Sequence, residues 1–322
     1  MIRWDAHVCL PLHPQASFAP IAHLRDTGVH YVSINVGMDM NPLAQIMAVI
    51  AGFRATMAAQ PQRFRLVEQL ADIELARAAG QIAIGFDLEG ALPLLEQPDM
   101  VALFASLGVR QMHLAYNRNN SVADGCHDVE RGLTALGRRM VEAVNDAGVL
   151  MDCAHTERRS TLDIMACSRH PVIFSHANPL ALAEHGRNIT DEQIRACAAT
   201  GGVVCISGVS RFLGTETPTA QDIAGHVAYT AIDVGPVLLQ ALCVRGLLGK
   251  QFTHPDTHGR PGCQQHQSQD NRKPGDARSQ QHSHPSQQAE ATADQKGFFV
   301  CLVGIHNGLT LINVAPQADS LF

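Results

Sequence analysis

Short apolar runs recur at residues 3–8, 31–36, 82–88, 111–116, 149–153, 172–175 and 203–207, each the length of a buried strand. Segments with helical period separate them, most clearly at 132–147 and 191–199. Thr134 is placed to cap the first of these helices. Thr190, with Asp191 and Glu192 in the following turn, is placed to cap the second. Strands that alternate with helices pair in parallel through βαβ crossovers. Seven such strands within the first 207 residues predict a barrel more than an open sheet. The stretch 42–80 reads as one extended helical connection after the second strand. The expected fold is therefore α/β, a TIM-like (β/α)8 barrel with its eighth strand missing or replaced.

Composition narrows the class. A chain of 322 residues that is 46% hydrophobic, with mean hydropathy near zero, suits a globular barrel. The formal net charge of −6 argues against a nucleic-acid partner, because no basic surplus exists to neutralise phosphates. Nine cysteines without paired spacing do not form a disulfide framework. The first residues carry no apolar signal-peptide core. A reducing, cytoplasmic location and no membrane partner are the expectations.

The candidate chemistry sits where a barrel would collect it, at the C-terminal ends of the strands. His7 and Cys9 follow the first strand, and Asp87 and Glu89 end the third. Residues 116–120 close the fourth, while His155 and His176 follow the fifth and sixth. Imidazole, thiolate and carboxylate are donors that suit zinc. Any one of these residues alone reads as a hydrogen-bonded structural group; their convergence on one rim is what points to metal. His13, His113, His170, His185 and His226 read as structural or surface residues, as do Cys126, Cys153, Cys167 and Cys205. Asp5 and Asp152 are placed to orient ligand imidazoles.

Ordered segments resemble the membrane (renal) dipeptidase family of zinc metallopeptidases over about residues 1–235. Asp5-Ala6-His7-Val8-Cys9-Leu10-Pro11 is similar to that family's Asp-Gly-His-Asn-Asp-Leu-Pro opening, and Phe86-Asp87-Leu88-Glu89-Gly90 to its Glu-Gly-Gly element. Leu107 to Arg110, Tyr116 to Asn120 and Ala123-Asp124-Gly125 resemble its LGVR, LTHNxNN and ADG block. Gly132-Leu133-Thr134 with Leu136-Gly137-Arg138, then Met151 to His155, Ile173 to His176, Arg187 to Glu192 and Gly201-Gly202-Val203 continue the match in order.

The resemblance implies two zinc ions, or one, in a (β/α)8 barrel. Glu89 would bridge them, His155 and His176 would hold one ion, and His7 and Cys9 the other. Metal-activated water would attack the scissile carbonyl of a dipeptide or related amide. Arg187 would receive the substrate's free carboxylate as a planar fork. A homodimer is the assembly the family implies.

Three departures qualify it. Cys9 stands where the family has aspartate: a competent zinc ligand, or a buried cysteine beside a one-zinc site. Tyr116 replaces a histidine near the substrate carbonyl; its phenol can donate to an oxyanion but carries no positive charge, and a plain rim aromatic is the alternative. Beyond Gly235 the family pattern, including an aspartate that handles the proton of the metal-bound water, is lost. A carboxylate outside the matched block, such as Asp233 or Asp319, would have to take that role.

The expected organisation is a metallohydrolase barrel at 1–235, a non-family connection at 236–250, a disordered low-complexity segment at 251–297 and an apolar strand- or hairpin-like tail at 298–322. From Gln251 to Lys296 there is no Leu, Ile, Val or Met, too little apolar surface to offset ordering entropy. The tail, with its Asn307-Gly308 turn, reads as a hairpin standing in for the eighth strand more than as a membrane span. The abrupt break near Pro236 is the pattern of a shifted reading frame. The functional expectation is a zinc-dependent dipeptidase-like hydrolase. The alternatives are an impaired homologue that binds metal or a small ligand, and a hydrolase of a non-peptide substrate on the same centre.

Overall fold

The structure, a computed structural model, describes residues 2–233 and the backbone of residues 299 and 300. Seven parallel strands form one sheet that curls into half a barrel: β1 (Trp4–Val8), β2 (Tyr31–Met38), β3 (Phe64–Leu66), β4 (Ile82–Glu89), β5 (Val109–His113), β6 (Leu150–Asp152) and β7 (Val172–Ile173). Their order is β1-β2-β4-β5-β6-β7, with β3 pairing the lower half of β4. The register passes Val32 to Ile84, Leu88 to Met112, Met112 to Met151 and Met151 to Val172. A bridge from Phe174 to Val204 carries the parallel pairing one strand further.

The central strand explains itself. All eight residues of β4 are buried, because neighbours cover both its edges and helices cover one face; such strands read as near-continuous apolar runs. Two polar exceptions, Asp87 and Glu89, end it on the same face, two residues apart.

The stretch 42–80 is not one helix. It splits into α2 (Leu43–Ala58), β3 and α3 (Ala71–Ala78), after the earlier α1 (Ala19–Asp26). The three-residue β3 is too short to leave a periodic signal, and its Phe64 is consumed by packing on Phe18 at 5.5 Å. Phe18 in turn meets Phe53 at 5.2 Å, edge to face.

Among the described residues the remaining α-helices are α4 (Met100–Ser106), α5 (Ala135–Asp146), α6 (Arg158–Cys167), α7 (Asp191–Ala199), α8 (Ser210–Leu213) and α9 (Ala220–Ala228). Gly137, Met140, Val141 and Val144 make the buried face of α5, the three- and four-residue spacing of an amphipathic helix. Thr134 caps α5 through the Gly137 N–H, and Thr190 with Gln193 forms a capping box on α7. Among the described residues no helix is long and apolar enough to cross a membrane.

Asp72 closes the start of α3 by accepting from the Glu68 and Gln69 N–H groups at 3.0 and 2.9 Å. Burial pushes its carboxyl up, but these donors and Arg65 more than offset that and hold it below the usual range. A depressed folded value stabilises above the unfolded value of about 3.9 and is lost as pH falls through the folded one. Asp72→Asn is therefore expected to lower the melting temperature at neutral pH, with the gap to wild type closing below about pH 4. Paired melting curves from pH 7 to pH 3 check it.

The last strands depart from the barrel pattern. β8 (Ile206–Ser207) pairs with β9 (Phe299–Val300) antiparallel, where a barrel strand would run parallel. The β9 backbone also lies against β1. The boundaries expected at 235, 250 and 297, the low-complexity segment and the tail's turn all lie outside the described residues.

Candidate metal centre

Five strand ends deliver the centre. β1 supplies His7 and, just beyond it, Cys9. β4 supplies Asp87 and Glu89, β5 supplies His113, and the turns after β6 and β7 supply His155 and His176. Gly90, at a φ of +111°, lets the chain turn away directly after Glu89; a Cβ there would run into the Asp39 carboxylate. His155 itself has a φ of +65°, as Asn117 has +61°. Left-handed backbone at non-glycine residues costs energy and concentrates at functional sites.

Glu89 is the hub. Its Oε1 lies 3.0 Å from His155 Nε2, 3.5 Å from His176 Nε2 and 3.6 Å from His7 Nε2. This oxygen is buried and accepts no hydrogen bond. The His155 and His176 Nε2 atoms are only 2.7 Å apart. Their other nitrogens are engaged, His155 Nδ1 with Asn117 Oδ1 and His176 Nδ1 with Ser175 Oγ, each at 2.7 Å. Burial, with Arg187 and neighbouring imidazoles, holds both rings well below the usual histidine range. Two neutral imidazoles thus aim their remaining lone pairs at one point beside an unpartnered carboxylate oxygen. A cation is what such a donor set lacks, so the residues fit a metal ion.

His7 differs. Burial opposes its charge, but Glu89 and Asp87 outweigh burial and hold its imidazole well above the ordinary range. Its Nδ1 faces Asp87 Oδ1 at 3.1 Å, and its Nε2 lies 3.2 Å from Cys9 Sγ. Cys9 is exposed, so the alternative of a buried cysteine beside the site does not hold. Asp5, whose carboxylate accepts from the His7 N–H at 3.3 Å, is raised by burial to about 7.

Beneath the imidazoles lies Asp152. Its Oδ1 accepts from the Ala154 and Ser175 N–H groups at 3.0 and 3.1 Å, the residues that immediately precede His155 and His176. Its Oδ2 takes the Gln111 amide at 2.7 Å and stands 3.0 Å from His113 Nε2. Although burial opposes it, His113 keeps this carboxylate below its usual range, and Asp152 in turn raises His113. The His113 ring meets those of His7, His155 and His176 edge-on at 5.9–6.4 Å. It is the residue the sequence reading passed over as structural or surface. No local signal marks it: His113 pairs with Asp152 only through the register of β5 and β6.

Tyr116 lies beyond the end of β5, with its ring stacked on His155 at 4.3 Å. Arg187 is 3% exposed, and its Nη2 reaches the His176 carbonyl at 3.4 Å. Its Nε has no hydrogen-bond partner. The guanidinium lies 5.4 Å from the Phe212 ring and opens on a cavity of about 580 Å³ that His155, Cys126 and His185 also line. The residues expected from the sequence as ligands gather around Glu89, and of these His155 also lines the cavity. The Asp233 side chain and Asp319 lie outside the described residues.

A parallel α/β half-barrel with imidazoles and a buried carboxylate at its strand ends is the architecture of metal-dependent hydrolase families. The family described as membrane dipeptidase (peptidase family M19) matches residues 15–238, and the chain belongs to it. The match starts after His7 and Cys9. Dipeptidase verJ of Clonostachys rogersoniana is 30% identical over 195 residues, covering 56% of this chain and 50% of that protein. The chain spans about half the length of the curated relatives it matches.

Among solved structures, an amidohydrolase from Pseudomonas aeruginosa superposes with a TM-score of 0.68 at 26% identity, over 73% of this chain and 71% of that one. A metallo peptidase from Rhodobacter sphaeroides, solved with a phosphinate mimic of the dipeptide L-Ala-D-Ala, shares the fold with a TM-score of 0.63 at 18% identity, over 73% and 83% of the two chains.

Proposed function

We propose that this protein is a zinc-dependent hydrolase of dipeptides or related amides that carry a free carboxylate. The single observation behind this reading is Glu89 Oε1, buried and unpartnered, with three imidazole Nε2 atoms within 3.6 Å. His7, Glu89, His155 and His176, with Cys9 beside them, are the residues to hold the ion, and nitrogen, sulfur and carboxylate donors are those zinc takes. When bound, zinc supplies Lewis acidity to a carbonyl and lowers the pKa of water.

The protein's own groups do the rest. Arg187, buried with a free Nε, receives the substrate carboxylate and fixes the peptide in the cavity. Tyr116 flanks His155 on the side of the mouth, where a phenol can donate to developing negative charge. Asn117 and Ser175 fix the ligand rings through their Nδ1 atoms. L-Ala-D-Ala, the dipeptide mimicked in the Rhodobacter structure, belongs in the first substrate panel. Zinc-loaded protein is expected to release free amino acids from it, and chelator-stripped protein is not. Tight zinc binding with no turnover of any dipeptide would favour the impaired homologue. Turnover restricted to non-peptide esters or lactones would favour the other alternative.

Arg187→Lys keeps the charge but loses the fork. A hydrogen bond to a charged group contributes about 1.5–3 kcal/mol, so KM for a free dipeptide is expected to rise roughly 10- to 100-fold. The kcat should change little, and a C-terminally amidated dipeptide should show no such rise. Steady-state kinetics on the two substrates separate these outcomes.

A further inference from the structure

We infer that Phe212 is a positioning residue for substrate binding: its ring is the platform that sets the plane of the Arg187 guanidinium, and so favours a planar carboxylate at the end of the substrate. This rests on the reading of Arg187 as the group that receives that carboxylate, and it adds a residue from a different part of the chain.

Hydrogen bonds do little to orient the guanidinium. Arg187 is buried, yet its Nε has no hydrogen-bond partner and its Nη2 reaches the His176 carbonyl only at 3.4 Å. A bond of that length holds one corner of the group and leaves its plane free to roll. The flat side meets Phe212 instead, with Cζ 5.4 Å from the ring centroid. An aromatic face is negative and attracts a guanidinium within about 6 Å of its centroid. A cation covered on that face takes its ligand edge-on, where the N–H groups form a fork that matches a carboxylate. The unpartnered Nε belongs to that edge, and Arg187 lines the cavity.

The fold fastens ring and arginine to one another. Phe212 is 3% exposed and lies on α8. His185, Arg187 and Asn188, from the loop before α7, all close on it. His185 packs its ring on Phe212 at 4.7 Å and accepts the Arg187 N–H on Nδ1 at 3.0 Å. Asn188 donates from Nδ2 to the Phe212 carbonyl at 2.9 Å and to the Ala183 carbonyl at 2.8 Å. The Asn188 bond goes to backbone, which any residue at 212 supplies. The ring is therefore separable from the tie that holds α8 against the loop.

The test measures binding, without relying on turnover. Zinc-loaded full-length protein is titrated calorimetrically with the phosphinate mimic of L-Ala-D-Ala and with its C-terminal carboxamide. Phe212→Met and Phe212→Leu remove the ring, Phe212→Tyr keeps it, and Arg187→Lys removes the fork. Circular dichroism selects the ringless variant that keeps the wild-type fold. Wild type is expected to prefer the carboxylate, and Arg187→Lys to lose that preference. The ringless variant should bind the carboxylate ligand roughly tenfold more weakly, with carboxamide affinity unchanged. Phe212→Tyr should bind both as wild type does. Unchanged carboxylate affinity without the ring, an equal loss for the carboxamide, or the same loss in Phe212→Tyr overturns the role of Phe212 alone. A wild type that binds neither ligand or shows no preference, or an Arg187→Lys that keeps the preference, overturns the reading of Arg187 and the role of Phe212 with it.

Discussion

Glu89→Gln is expected to lower dipeptide hydrolysis on the order of 10³-fold, since removing one charged partner from a buried cluster costs about 3–5 kcal/mol and each 1.36 kcal/mol is tenfold. The substitution keeps shape and volume. What it removes is the negative charge on the oxygen that three imidazoles surround. Glutamine also brings an NH2 group that competes with metal for the imidazole lone pairs. Loss of metal should therefore accompany loss of rate. The measurement is kcat/KM with metal content on the same sample, beside a circular dichroism spectrum to confirm the fold. Retention of more than a tenth of wild-type activity would remove Glu89 from the centre of the reaction.

Asp152→Ala is expected to have the largest effect on stability, about 3–5 kcal/mol, because it leaves the fully buried His113 without its charge partner and strips several buried donors of their acceptor. For a domain of this size that is a fall of about 10 °C in melting temperature. Metal affinity should drop as well, since the two N–H groups that Asp152 holds lie one residue before His155 and His176. Asp152→Asn keeps an acceptor for both but loses the charge and sets an NH2 against the Gln111 amide, so it should cost less than Asp152→Ala and still melt below wild type. Thermal melts of both variants with and without metal decide the matter. Equal melting temperatures for Asp152→Ala and wild type would show that His113 and the two turns do not depend on this carboxylate.

Much of this site was legible before any coordinates. His7, Glu89, His155 and His176 end or follow apolar runs, and a parallel barrel gathers strand ends whatever lies between them. The caps at Thr134 and Thr190 were equally local, since a hydroxyl before a helical period depends only on its own turn. What escaped was non-local. His113 sits inside the run 111–116, which Gln111 opens as a second polar position, and only the β5–β6 register shows that His113 faces Asp152. Asn35, whose amide donates to Asp87 and Glu89, escaped for the same reason: it lies within a run read only for its hydrophobicity, and its partners are more than fifty residues away. β3 was missed because three residues carry no period and its stability comes from pairing with β4.

The two sides of the proposed metal centre are anchored unequally. Glu89 closes an eight-residue strand paired along both edges, whereas His155 and His176 hang from turns after strands of three and two residues. Backbone amides in β4 should exchange with solvent deuterium only when the whole domain opens, while those around β7 exchange through local fraying. If the proposed centre holds an ion, its release is expected to begin at the two later histidines and to end at the carboxylate, through loosening of one wall without global unfolding.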